Sequence, residues 1–169
     1  MRSIGLDTGP LADFLGQFYG SAQRGNAPFQ KGMSLTPEAA KAINAIVQTF
    51  VRDEPARYLV FASTLAFAEI TRKWGNLAGG RFHPHQLRAF IAAHPPWFVV
   101  DPVDESLVEP FLQVPSKVDM GGGQLANIEW ADAIHVATVF SRDTEQEKCY
   151  MAVEDQRIQR LPQLEGRCL

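Results

Sequence analysis

The sequence predicts a single α/β domain with a central, mostly parallel β-sheet flanked by helices. Three observations carry this. Short apolar runs at 3–7, 58–62, 97–100 and 149–153 have the length of buried strands. Between them, apolar residues recur at the three- and four-residue spacing of helices. The 169 residues, 46% hydrophobic, suffice for one well-filled core and are too few for two comfortable ones. Strands alternating with helices imply parallel pairing, because a parallel neighbour is reached only through a long crossover.

Each element has its own signals. The first run, 3–7, ends on Asp7, and Pro10 falls where the first turn of a helix tolerates it. Leu11, Phe14, Leu15 and Phe18 continue that helix at the right spacing, over 9–19. Residues 20–35 are rich in Gly, Ser, Asn and Lys and read as a loop. Thr36-Pro37-Glu38 is a cap, a first-turn proline and an acid at the positive helix end. Residues 19–57 therefore read as an inserted helical segment. Ser63 or Thr64 caps the helix after 58–62, whose Phe67, Ile70, Trp74 and Leu77 face the core. A further helix over about 83–94 is expected to bury Leu87, Phe90 and Ile91, with Pro95-Pro96 closing it. Asp104 starts a helix that Pro110 is expected to kink or break. Gly121-Gly122-Gly123 reads as a flexible join and lacks the Lys-Ser/Thr ending of a phosphate loop. Residues 127–142 form a helix, 149–153 a strand, and the tail a last helical turn.

Composition narrows the function classes. With 16 basic and 19 acidic residues the net charge is −3, which excludes a global basic field for coating nucleic acid. No apolar run approaches the ~18 residues of a membrane span. The N-terminus enters a strand at once, so no signal peptide is expected, and a cytoplasmic location follows. Cys149 and Cys168 are then expected to be reduced thiols rather than a disulfide or a metal pair.

The chemistry lies in the acids. Ligands of open parallel sheets sit beyond the carboxyl ends of the strands. Asp7 ends the first strand, and Asp155 follows 149–153 almost at once. Glu69 lies in the second turn of the helix launched by 58–62, and Asp132 in the first turns of 127–142. Four acids from four elements thus approach one rim, and nothing obviously basic joins them from the same positions. Like charges so close take up protons unless a cation separates them. Mg²⁺ or Mn²⁺ suits carboxylate oxygens, and no Cys/His set has the spacing for zinc. Hydrolysis of phosphodiesters by a metal-activated water is the reaction this suggests.

Each acid also has a plainer reading. Asp7 and Asp155 can cap helices, and Glu69 has Arg72 and Lys73 at i+3 and i+4. Asp132, among Ala131, Ile134 and Val136, is hard to explain as solvated surface. His135, three residues on, reads as a packing histidine. Arg72, Lys73, Arg81 and Arg88, with His83 and His85, form either a phosphate-binding stripe or a solvated face. Trp74, Trp97 and Trp130 read as core or dimer-interface residues. Leu-Asp-Thr-Gly at 6–9 matches the signature of aspartic proteases, but no second copy occurs and the chain is substantially helical.

Three segments, IGLDTGPLADFL, FASTLAFAEITRK and EWADAIHVATVF, and more loosely YMAVEDQRI, resemble the PIN domain, the nuclease fold of VapC-type toxins and related ribonucleases. The resemblance, which runs nearly the whole chain, implies that Asp7, Glu69, Asp132 and Asp155 are its four acids, with Thr8 in support. It implies Mg²⁺- or Mn²⁺-dependent RNA cleavage, a homodimer, and often an antitoxin that covers the site. Two features depart from the pattern. Val153 stands where a Ser or Thr is common two residues before the fourth acid, which makes the adjacent Glu154 a substitute or supplement. The segment 19–57 makes the chain longer than a typical toxin of this type. The alternative function is a PIN-fold RNA-binding or regulatory module with a weak or dead site.

Overall fold

The computed structural model describes residues 2–12, 15, 45, 58–74, 88, 91, 92 and 97–169, without the side chains of residues 58, 73 and 74. Strand β1 (Arg2–Leu6) leads into a helix that begins at residue 8. Strand β2 (Tyr58–Ser63) runs directly into helix α1 (Thr64–Trp74), and β3 (Phe98–Asp101) follows. After a 3-10 turn (Glu105–Leu107) come α2 (Val108–Leu112), β4 (Lys117–Asp119) and β5 (Leu125–Asn127). Helix α3 (Trp130–Ser141), β6 (Tyr150–Ala152), the short α4 (Gln156–Gln159) and a 3-10 turn (Pro162–Leu164) complete the chain.

The central sheet has the order β3-β2-β1-β6, and all three pairings are parallel. This is the expected α/β class. Its parallel strands are incompatible with the all-β frame of an aspartic protease, so Leu-Asp-Thr-Gly is a coincidence of letters. The chain proceeds from β1 to one side and returns to the other at β6. The carboxyl ends of β1 and β6 therefore flank the point where the topology switches, where ligands of such sheets bind.

Both faces of the sheet are covered, which is why its strands read as continuous apolar runs. Ile4, Leu6, Val60, Ala62, Phe98 and Ala152 point to one face and pack with Leu11, Ala12 and Leu15 of the first helix and Ala66, Phe67 and Ile70 of α1. Phe61, Met151 and Val153 point to the other, under Val136, Val139 and Phe140 of α3. Phe67 meets Phe98 edge to face. Gly5 sets how closely α3 approaches: a Cβ there would lie 2.6 Å from Cγ2 of Val139 and 2.9 Å from the Phe61 ring.

The structure corrects several local expectations. Gly121-Gly122-Gly123 is the tip of an antiparallel hairpin between β4 and β5, with φ of 100°, 65° and 82°. Strands of three residues are too short for a periodicity signal. Asp119 accepts a hydrogen bond from the Gly121 N–H and fixes the turn. Pro110 does not break a helix; it lies in the first turn of α2, where its missing N–H has no intrahelical partner to lose. The helix expected from Asp104 starts as a 3-10 turn, with the Asp104 carboxylate accepting from the Ser106 N–H. Ile91, expected in the core, is 37% exposed. Trp97 is buried, as the core reading requires; Trp130 is 66% exposed in the first turn of α3, which removes its core reading and leaves the dimer-interface one. The inserted segment 19–57 lies outside the described residues apart from Ala45, which is helical. Among the described residues no helix is long and apolar enough to cross a membrane.

Gly5→Ala tests the approach of α3. Val139 is short and branched and has little room to yield, so the substitution is expected to lower stability by about 1–3 kcal/mol in denaturant titrations. An unchanged unfolding midpoint would show that α3 is not held against β1.

Candidate functional site

Asp7, Glu69, Asp132, Glu154 and Asp155 all lie at the carboxyl end of the sheet, and all but Glu154 fall into two paired groups. The first centres on His135. Its ring is buried, and Nε2 lies 3.1 Å from Oε2 of Glu69, 3.3 Å from the Thr8 hydroxyl and 3.6 Å from Oδ1 of Asp7. Nδ1 lies 3.1 Å from the Ser63 hydroxyl, which also accepts from the Ala66 N–H and so caps α1. A carboxylate only accepts, so Nε2 carries the proton toward Glu69, and in that neutral tautomer Nδ1 accepts from the Ser63 hydroxyl. Thr8 donates to the same Glu69 oxygen. This network explains why Ser63 and Thr8 are buried although polar: both are satisfied.

The second group centres on Arg157. Its guanidinium donates to Oδ2 of Asp132 at 3.0 Å, to both oxygens of Asp155, and to the backbone carbonyl of Asn127 at 3.1 Å. Glu129 lies 3.8 Å away. The expectation that nothing basic joins the acids is therefore corrected. Arg157 is two residues beyond Asp155, and the short turn of α4 folds its side chain back over the rim. The chain distance from Asp132, 25 residues, hid that pairing from the sequence.

The electrostatics follow from these positions. Burial, then the charge of Asp7, pushes the Asp132 carboxyl above the usual carboxylate range, with Arg157 pulling the other way. Asp132 also sits in the first turn of α3, where the helix dipole favours negative charge. The Arg157 hydrogen bond holds Asp155 below that range. Burial and the Asp7 charge raise Glu154, whose buried Oε1 has no hydrogen-bond partner. Its Oε2 faces Gly9, where a Cβ would lie 3.5 Å away.

The cap readings of the two strand-end acids hold alongside any other role. The Asp7 carbonyl accepts from Leu11 N–H, and its carboxylate from Thr8 N–H, at the start of the first helix. Asp155 caps α4 through the Arg157 N–H at 2.8 Å. Arg72 and Arg88 are exposed, as either reading of the basic stripe requires. Arg81 and the Lys73 side chain lie outside the described residues. A separate cavity of about 510 Å³ is lined by Ser3, Asp101, Ser106 and Arg142 among others. It contains none of the acids above, and its Arg142 is already paired with Asp101.

Sequence reasoning missed two organising residues. His135, expected to be a packing residue, links four polar side chains; its signal is the spacing to Asp132 on one helix face. Arg157 had no signal beyond proximity to Asp155. Comparison with family models, characterised proteins and solved structures finds no match to this chain.

Glu154→Gln tests the unpartnered carboxylate. Because the folded state holds the Glu154 proton more tightly than the unfolded chain, the charged form costs stability once pH exceeds the ordinary value of 4.5. The amide is expected to stabilise the fold at neutral pH. That gain should shrink on acidification and vanish below pH 4.5. A pH-independent difference in denaturant titrations would contradict this.

Proposed function

We propose that the protein is a PIN-like, Mg²⁺- or Mn²⁺-dependent endoribonuclease, cutting RNA phosphodiesters at the acidic rim. The observation that carries the reading is the convergence of Asp7, Glu69, Asp132 and Asp155 at the switch point of a parallel sheet, with the charge of Asp7 felt at Asp132. The matching segments supply the family.

The donor chemistry fits a hard divalent ion: every candidate donor is a carboxylate oxygen, and the buried Oε1 of Glu154 lacks a partner. Among the described residues, no group of three or more acids, histidines or cysteines is already gathered as a metal site. His135 pairs with Glu69 and Asp7, and Arg157 with Asp132 and Asp155. Asp7, Glu69, Asp132 and Asp155 would hold the ion, with Glu154 in support. When bound, the ion supplies charge neutralisation and a water of lowered pKa. The chain's own contribution is orientation. His135 and Thr8 fix Glu69, the Thr8 N–H fixes Asp7, and the first turn of α3 presents Asp132.

In this reading Arg72, Lys73, Arg81 and Arg88 contact the phosphates of the RNA, and the protein works in the cytoplasm as a homodimer. In the same reading the enzyme acts as the toxin of a toxin–antitoxin pair, with the antitoxin covering the rim. The second reading, a PIN-fold RNA-binding module with a weak site, is favoured by one observation: Arg157 already neutralises two of the four acids.

Single-stranded RNA incubated with Mn²⁺ and protein should be cut, and EDTA should stop it. Asp7→Asn and Asp132→Asn, in protein that folds, should each reduce cutting by more than about a hundredfold, since even outer partners of a metal are worth 10–100-fold. Full activity in both variants would sink the assignment. RNA bound but left intact by the wild type would select the second reading.

A further inference from the structure

We propose that Arg157 is a resident counter-cation, which a divalent ion must displace before the acidic rim can bind it. The inference rests on the metal-binding reading above and adds a competitor built into the chain.

The geometry is that of a substitute cation. One guanidinium nitrogen, Nη2, donates to Oδ2 of both Asp132 and Asp155, so a single positive group bridges the two carboxylates. An ion binding these oxygens would need the same lone pairs. The bridge also joins elements far apart in sequence, the start of α3 and the exit from β6. It therefore occupies the space between two proposed ligands.

Two features make displacement feasible. Arg157 is half-buried, with 30% of its side chain exposed, so the guanidinium has a path to water. Asp155 does not depend on the guanidinium for its position. Its carboxylate also accepts from the Arg157 backbone N–H, a bond that survives when the side chain leaves. Released from the acids, Arg157 remains at the rim as a cation that a phosphodiester would attract. Occupation of the rim by Arg157 lowers the apparent affinity for metal by the fraction of molecules in which the bridge is closed.

The test compares Mn²⁺ binding to wild type and Arg157→Gln by titration calorimetry. The variant keeps the backbone N–H that caps α4, and it is expected to bind Mn²⁺ about tenfold more tightly. Equal or weaker binding by the variant, with the wild type binding, overturns the proposal and leaves the nuclease reading standing. Absence of binding by both proteins overturns the two together. A second measurement needs only the wild type: the Arg157 Nε–H resonance should be slow to exchange without metal and should exchange faster on saturation with Mg²⁺. A resonance unmoved by saturating Mg²⁺ overturns the proposal whether or not the variant folds.

Discussion

Like charges at a half-buried rim are the constraint on which the rest of this end of the molecule depends. Asp7 and Asp132 are close enough that the charge of one raises the pKa of the other, and Glu154 feels Asp7 as well. A fold that brings carboxylates together must neutralise them, protonate them or separate them. This chain divides them into two sets, each with its own partners. The His135 imidazole and the Thr8 hydroxyl hold Glu69, the imidazole and the Thr8 backbone N–H hold Asp7, and a guanidinium holds Asp132 and Asp155. Glu154 is the residue left over, and its buried Oε1 has no hydrogen-bond partner.

The sheet makes this arrangement possible. With β1 between β2 and β6, residues that leave three neighbouring strands emerge side by side: Asp7 after β1, Ser63 at the end of β2, Glu154 and Asp155 after β6. Helix α3 adds Asp132 and His135, and it reaches the rim because Gly5 lets Val139 settle onto β1. His135 and Val139, four residues apart on α3, share one side of the helix. A single missing side chain in the middle of the sheet thus contributes to the position of a polar network at its edge. The β4–β5 hairpin ends where α3 begins, and the Asn127 carbonyl accepts from Arg157, so the hairpin is tied to the same network.

Much of this was legible in the sequence where the signal is local. The strands at 3–7, 58–62, 97–100 and 149–153 were readable because fully buried strands are continuously apolar, and the observed bounds differ from them by a residue or two. The caps at Ser63, Asp104 and Asp155 were readable because a cap bonds to backbone two or three residues away. The β4–β5 hairpin was not readable, since three residues cannot display a period and three glycines look like a linker. The exposure of Trp130 and Ile91 was not readable either: helical spacing marks a stripe, and the neighbours decide whether that stripe is covered.

The sequence by itself determined the α/β class, the parallel order implied by strands alternating with helices, and the four acids at strand and helix ends. These follow from composition and short-range pattern, which are properties of the chain before it folds. Only the tertiary structure decided which acids share a partner. Arg157 meets Asp132 across 25 residues, and Glu69 meets His135 across 66. No local propensity encodes such pairs. They arise when packing brings distant segments within a few ångströms and burial makes an uncompensated charge too costly to leave alone.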